Sequence, residues 1–295
     1  MTTVRGGRSP RIALASCADL PQGAGGESEL PALLAARGAE VVWAVWDDPT
    51  VDWAVFDLIV VRSTWDYPHR LDAFRAWVQM AAMSAELVNP PRLVLANLHK
   101  GYLADLGEDA VPTVVVPAGM TVDITALGWP SVVVKPAVAV DGDGAVRHAV
   151  QEDLDALTLD PAGPVDAVVQ PYIEAVEREG EVSVVCFDGE PSHAVRKKPA
   201  MGEFRVQEHR GGTAEAVRLH PDHVDVARRV LARLPMVPAY ARIDLLPDGD
   251  RLLVGELELV EPYLYLELAP DAGPRFADTL VERARGALRG GARAW

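Results

Sequence analysis

Four acids, Asp244, Glu256, Glu258 and Glu261, stand among leucines and valines in the stretch RIDLLPDGDRLLVGELELVEP, where apolar neighbours would otherwise mark a core. Pro247, Asp248, Gly249 and Asp250 separate a pair of apolar-rich runs with residue types that suit a tight turn, so the stretch reads as a hairpin. Strand side chains alternate between faces, which sets Glu256 and Glu258 on one side and Leu257 and Leu259 on the other. Tyr240, Arg242 and Asp244 share a face of the first strand in the same way. With Asp244 opposite Glu256, one face carries Asp244, Glu256, Arg242 and Glu258. Facing carboxylates repel, and oxygen ligands on neighbouring strands suit a hard cation such as Mg2+. A face that is merely wet fits the same alternation, so the remainder of the chain has to decide.

Two other clusters carry charge in useful places. Lys135 ends an apolar run, VVVKP, and precedes the glycine turn AVAVDGDGAV, where Gly142 and Gly144 would let backbone N–H groups close over phosphates. The P-loop pattern GxxxxGK[ST] is absent, and Asp141 and Asp143 oppose an anion. Arg196, Lys197, Lys198, Arg205 and Arg210 lie together in the segment RKKPAMGEFRVQEHRGGT of a chain whose net charge is −15. This local reversal of sign suits a polyphosphate or an acyl phosphate. Basic and acidic clusters together make a metal–phosphate site.

The elements that must position these residues begin with a strand at RIALASC, a glycine-rich turn, a helix at LPALLAARG, strands at AEVVWAVW and FDLIVVRS, and a helix over 70–85. That order predicts a small α/β domain with a largely parallel sheet, ending near ELVNPPRLVLAN, where two prolines mark a linker. A helix then feeds a strand in KGYLADLGEDAVPTVVV, two strands flank the glycine turn, and a short helix from Asp153 to Leu157 precedes the strand DAVVQPYI. Strands at EVSVVCFDG and EPSHAVRKKP, the basic loop, a helix at HPDHVDVARRVLARLP, the acidic hairpin and a closing helix complete the chain.

The 295 residues allow two or three compact units, and 49% hydrophobic with 24% charged residues is a globular composition. Strong net negative charge argues against nucleic acid or an anionic membrane as partner, since both are polyanions. Cys17 and Cys186, far apart in apolar runs, make neither a disulfide framework nor a metal site and read as buried thiols. The start, MTTVRGGRSP, lacks the apolar stretch of a signal peptide and reads as a frayed tail, so a cytoplasmic protein is expected. Gly23, Gly25 and Gly26 do not make GxGxxG. His220 and His223 flank Pro221 and Asp222 at a helix start and read as solvated. Five tryptophans of the first hundred residues, Trp43, Trp46, Trp53, Trp65 and Trp77, read as packing. Neither His193 nor Cys186 belongs to a nucleophile–base pattern.

Six motifs in order, NLHKGYL, VVVKPA with its glycine loop, VVQPYI, GEVSVV, HAVRKKPAMGEFRVQEHRGG and ARIDLL followed by VGELELVEP, resemble the ATP-grasp ligases with a glutathione-synthetase type of ATP-binding domain. Within them the chain is similar to the actinobacterial group that includes the O-ureido-serine cyclo-ligase of cycloserine biosynthesis, and VVRSTWDYP in the first domain is also similar to that group. The resemblance implies an N-terminal α/β domain over 1–95, a lid domain over 96–172 and a C-terminal ATP- and Mg2+-binding domain with an antiparallel sheet over 173–295. It implies ATP and Mg2+, with two ions, as cofactors. Lys100 and Lys135 would hold the α- and β-phosphates, Gln170, Pro171, Tyr172 and Ile173 would form the adenine hinge, and Glu181, or else Glu177, would bind ribose. Arg205 and Arg210 would steady the γ-phosphate and the acyl phosphate, and Asp244, Glu256 and Glu258 would hold the metal.

Two departures stand out. The third metal position, usually Asn, is Glu258, and the glycine loop is acidic. On the substrate side Arg62, Asp66 and Tyr67 follow the third strand, at the carboxyl end where open α/β sheets bind ligands, and are expected to face an amino acid; capping by Ser63 or Thr64 with surface charges is the competing account. The expected function is ATP-dependent C–N bond formation at the carboxylate of a small amino-acid-like substrate, by intramolecular cyclisation. Intermolecular ligation uses the same acyl phosphate, and a non-catalytic nucleotide or amino-acid binder is the alternative of another class. A homodimer is compatible with the sequence.

Overall fold

The computed structural model describes residues 8–149, 157–158 and 166–290. The chain runs β1 (Arg11–Ser16), α1 (Leu30–Ala35), β2 (Glu40–Val45), β3 (Leu58–Ser63), α2 (Leu71–Ser84), β4 (Glu86–Val88), α3 (Pro91–Asn97), α4 (Tyr102–Asp105), β5 (Val114–Val116), β6 (Thr121–Val122), β7 (Ser131–Pro136) and β8 (Val146–Ala149). It continues with β9 (Leu157–Thr158), β10 (Ala167–Pro171), α5 (Ala175–Glu179), β11 (Glu181–Phe187), β12 (Glu190–Lys198), β13 (Thr213–Val217), α6 (Pro221–Leu231), β14 (Tyr240–Asp248), β15 (Arg251–Glu258) and α7 (Ala272–Gly290). Two compact units result: Met1–Leu95 with Pro238–Tyr240 and Val260–Trp295, and Ala96–Val237 with Ala241–Leu259.

The first unit is built on a sheet of order β2-β1-β3-β4, parallel throughout. β3 is buried along its whole length, whereas β2, at the sheet edge, alternates and exposes Glu40 and Val42. Trp46, Trp53, Phe74 and Trp77 form one buried aromatic cluster, with Trp46–Phe74 and Trp53–Trp77 centroids both 5.3 Å apart in edge-to-face pairs. The stretch ELVNPPRLVLAN is no bare linker, because it contains β4 and α3. A three-residue strand is too short to show a period, and Pro91 opens the helix where its missing N–H matters least. Residues 260–295 belong to this unit, and α7 lies against α1, where Arg37 Nε meets Asp278 Oδ1 at 2.6 Å.

Tyr240 ties the separate stretches of this unit together. Its buried hydroxyl lies 2.7 Å from Val61 O, 2.9 Å from Val260 O and 3.1 Å from Val88 O. The Asn89 amide completes the junction, donating to Tyr240 O and accepting from Ala239 N–H.

The second unit contains an antiparallel sheet of order β5-β10-β7-β8 and a larger sheet of order β13-β12-β11-β14-β15, with the small pair β6-β9. Val116, Ile124, Val132, Val134 and Val169 form the core of the first sheet. β13 escapes the sequence reading, because TAEAV has little apolar character and lies at a sheet edge. The expected helix from Asp153 falls on residues 153–156, outside those described, and Leu157 begins β9. His220 caps α6 by accepting from Asp222 N–H at 3.3 Å, a local role and not a metal pair. Among the described residues no helix is long and apolar enough to cross a membrane.

Tyr240→Phe removes one hydroxyl from three carbonyls while keeping the ring. A loss of about 1–2 kcal/mol is expected, read as a drop of a few degrees in Tm on thermal unfolding; an unchanged Tm would show the hydroxyl to be dispensable.

Candidate active site

The hairpin closes in the register that brings its acids together. Asp244 lies opposite Glu256 and Arg242 opposite Glu258, and the register then shifts so that Leu245 faces Val254. Gly255 is therefore the extra residue of a bulge; a Cβ there would approach the Leu246 side chain to 3.0 Å. One oxygen from each of Asp244, Glu256 and Glu258 lies within 4.8 Å of the others.

Cations from four places offset this charge. Lys135 Nζ, from β7, is 3.0 Å from Glu256 Oε1, and Lys100 Nζ, from the α3–α4 connection, is 3.7 Å from the same oxygen. Asp244 accepts from Ser183 Oγ at 2.6 Å, Lys197 Nζ at 3.1 Å and Arg242 Nη2 at 2.9 Å. Arg242 also pairs with Glu258, and Lys197 with Glu181. Burial pushes the Glu256 carboxyl up, but Lys100 and Lys135 outweigh it and hold the group at about 2. Asp244 is likewise held below the usual carboxylate range, burial being overcome by Arg242 and Lys197. Glu258 goes the other way. Burial raises it to about 7, since Arg242 alone does not offset burial together with the charges of Asp244 and Glu256. Burial also raises Glu181, against the pull of Lys197. The Tyr102 phenol, raised by burial and then by Glu256, stays a protonated hydroxyl beside the cluster.

Lys100 is fixed at the base of the glycine loop. Its N–H donates to Ala137 O at 2.7 Å and its Nζ to Ala139 O at 2.9 Å. In the loop Asp141, Gly142 and Gly144 all have positive φ, and a Cβ on Gly142 would come within 2.8 Å of Gln207 Nε2. This close approach sets the acidic loop on the basic one, where Asp141 pairs with His209 at 3.3 Å. Arg205 grips Glu203 with Nε at 3.0 Å and Nη2 at 2.8 Å, holding that carboxyl at about 2. Arg210 Nε and Gln207 Oε1 are buried without a hydrogen-bond partner.

At the expected hinge, Gln170 donates to Thr113 Oγ1 at 2.8 Å and Tyr172 N–H donates to Ser131 O at 2.9 Å, so both groups are committed to the sheet. Ile173 O accepts from Val176 N–H. The Tyr172 hydroxyl donates to Glu177 at 2.8 Å, and the Arg147 guanidinium stacks 3.7 Å above the ring while pairing with Glu177 at 2.9 Å. Glu177 is thereby engaged at the hinge, while Glu181 faces the cluster through Lys197.

Arg62, Asp66 and Tyr67 belong to the first unit, each with its own partners. Arg62 is 1% exposed; its Nε donates to Glu27 at 2.7 Å and its Nη2 to Pro262 O at 2.7 Å, while Nη1 and the neighbouring Thr64 Oγ1 are buried without a partner. Asp66 accepts from Trp46 Nε1 at 2.8 Å and pairs with Arg70, and buried Tyr67 stacks on Phe74 with centroids 4.8 Å apart. Asp66 and Tyr67 are therefore engaged by the aromatic cluster rather than presented to one side with Arg62.

Ser183, Arg147 and Glu27 were not singled out by sequence, and Lys197 and Arg242 entered only as members of the basic segment and of the acidic face, without a role of their own. Glu181 and Ser183 alternate on β11, and Glu181 pairs across to Lys197; that shared face was the available signal. Glu27 had none, because its partner is 35 residues away.

The residues suit Mg2+ and a polyphosphate: three clustered carboxylate oxygens match a hard cation, and a buried Arg210 N–H without an acceptor matches an anion. Residues 12–89 match the family model described as D-cycloserine synthetase DcsG, N-terminal domain, and residues 102–245 that of prokaryotic glutathione synthetase, ATP-grasp domain. The chain is 33% identical to the cycloserine biosynthesis protein DcsG of Streptomyces lavendulae over 86% of its own length and 93% of that protein. It is 26% identical to a glutathione synthetase of Ralstonia nicotianae over 88% of itself and 76% of that protein. The crystal structure of D-cycloserine synthetase DcsG is similar with a TM-score of 0.81 at 29% identity, covering 93% of this chain and 99% of that one. D-alanine–D-alanine ligase of Bacillus anthracis, at 13% identity and a TM-score of 0.63 over 96% of this chain and 100% of that one, shares the fold.

Glu258 gives a pH prediction for the metal-free protein. Its folded value of about 7 lies above the ordinary 4.5, so between these the folded form keeps a proton that the unfolded form has lost, and stability falls as pH rises through that window. In EDTA, Glu258→Gln should lose less stability than wild type between pH 5 and pH 8, by a difference on the order of 1–3 kcal/mol, read as a smaller fall in Tm. Parallel Tm curves for the two proteins would contradict the assignment.

Proposed function

The chain belongs to the ATP-grasp ligases, in the family of the cycloserine biosynthesis protein DcsG, and from that membership we propose that it closes a small amino-acid-like substrate of the O-ureido-serine type into a ring. ATP-grasp ligases of this kind are ADP-forming carbon–nitrogen ligases, and the chain is an enzyme of that class. A substrate carboxylate oxygen attacks the γ-phosphorus, the bond to ADP breaks, and an acyl phosphate forms. A nitrogen of the same molecule then attacks the carbonyl carbon, phosphate leaves, and the nitrogen loses its proton to solvent. Holding both ends of one molecule in a water-poor site favours ring closure.

The observation that carries the ligase chemistry is the convergence of Asp244, Glu256 and Glu258 beside Lys100 and Lys135. Mg2+, taken as two ions, supplies positive charge along the phosphates when bound. Asp244, Glu256 and Glu258 hold it, and the two lysines, relieved of Glu256, turn to the α- and β-phosphates. Arg210 offers its unpartnered Nε to the γ-phosphate, and Arg205 joins it by exchanging Glu203 for phosphate oxygens. The backbone of Gln170–Ile173 reads adenine and Glu181 binds ribose. Ring closure is supported by likeness to DcsG through 12–89 as well as through the ATP-binding half. In this reading 1–95 is the substrate side, 96–172 the lid and 173–259 the ATP- and metal-binding region, with 260–295 returning to the first unit. Arg62 offers its unpartnered Nη1 to the amino acid, and Asp66 and Tyr67, held by Trp46, Arg70 and Phe74, brace the end of β3 behind it. The enzyme acts in the cytoplasm on ATP and an amino acid, with no role for nucleic acid or membrane; a homodimer fits this reading.

Mg2+-dependent ADP release across single amino acids, O-ureido-serine included, and then across pairs, with mass spectrometry of products, tests it. Turnover with one amino acid and a lighter product is expected, and Glu256→Gln should reduce it about 100-fold or more. Turnover with pairs alone would make this an intermolecular ligase. ATP binding without turnover on any substrate would leave a non-catalytic binder.

Arg62→Lys keeps a charge against Glu27 and removes Nη1. The amino-acid KM should rise about tenfold with the ATP KM unchanged; an unchanged amino-acid KM would remove Arg62 from the substrate side.

A further inference from the structure

β15 carries two of the three clustered acids yet lies at the end of its sheet, so among the described residues one edge of its backbone has no strand beside it. Glu256 and Glu258 pair inward with Asp244 and Arg242. The outward groups of the intervening and following residues are met by side chains. Asn97 Nδ2 donates to Leu257 O at 2.8 Å, and Asn97 Oδ1 accepts from Leu259 N–H at 2.7 Å. The Tyr102 hydroxyl accepts from Leu257 N–H at 3.0 Å. Farther along, Val111 N–H donates to Val254 O at 3.0 Å. One amide side chain thus reproduces the donor–acceptor pair of a missing strand, and a phenol supplies the next acceptor.

The same short segment bears Lys100, which reaches Glu256 from between the two clamps. We propose that Asn97 and Tyr102 are positioning residues for the metal face: they hold β15 so that Glu256 and Glu258 stay within ligating distance of Asp244, and they lock that strand to Lys100. The inference rests on the reading of these acids as metal ligands. An ordinary edge cap would stabilise the sheet and leave ligand geometry alone. A strand free to move outward on one side separates Glu258 from Asp244, and partners outside the ligand set commonly change metal affinity about 10–100-fold.

Mn2+ binding to the full chain in the presence of ADP, followed by electron paramagnetic resonance, separates these accounts when read beside Tm. Asn97→Ala and Tyr102→Phe should each weaken Mn2+ about tenfold, and the double variant should show less than the product of the two, because both act on one strand. Asp278→Asn, which weakens the Arg37–Asp278 contact of the first unit, should leave Mn2+ affinity unchanged. If Asn97→Ala does not fold, Tyr102→Phe, which removes a single acceptor, carries the test. Mn2+ affinity within twofold of wild type in a folded variant with lowered Tm would overturn the proposal. Wild type that binds no Mn2+, or Glu256→Gln that binds it as well as wild type, would instead overturn the metal reading beneath it.

Discussion

Mutual repulsion of three carboxylates on one hairpin face is the constraint to which the second unit answers. At separations under 5 Å in a partly buried setting, such charges strongly disfavour one another. The compensation is distributed: Lys135 comes from β7, Lys197 from β12, Arg242 from β14 and Lys100 from the α3–α4 connection. Lys135 and Glu256 stand on different sheets, so the clustered acids also join the two sheets of the unit. The basic side chains already present offset the cost of burying the acids.

The arginines near the glycine loop follow the same logic with the signs reversed. Arg205 is held by Glu203, and Asp141 meets His209. Asp141 and Asp143 argue by composition against a phosphate-covering loop. In the structure Asp141 turns towards His209, and what approaches Gln207 is the backbone at Gly142. A residue's charge states what it repels in isolation; its rotamer states what it faces.

Much of this was legible from sequence where period and turn chemistry agree. The hairpin register, the parallel first sheet and the strands around the glycine loop follow from alternation and from glycine and proline placement. The clustering of Asp244, Glu256 and Glu258 was legible because three acids on alternate positions of apolar strands violate the expected pattern. What escaped had weak local signals. β4 and β13 are short or polar. Lys197 was one basic residue among several until β11–β12 pairing set it against Glu181. Arg62 read as a substrate-facing charge at the end of β3, with a surface charge as the competing account, and its burial beside Glu27, distant in sequence, had no local signal. Asn97, which opens the motif NLHKGYL, gains its role from a strand about 160 residues later.

The first unit is assembled from Met1–Leu95, Pro238–Tyr240 and Val260–Trp295, with the Tyr240 hydroxyl set among the carbonyls of Val61, Val88 and Val260. Such a unit cannot be exchanged by trading its front end alone. A single crossover near residue 95 would bring a new sheet against a resident α7 shaped for another α1, and would orphan the tyrosine between them. Exchange of this unit as a whole needs its front and back stretches moved together.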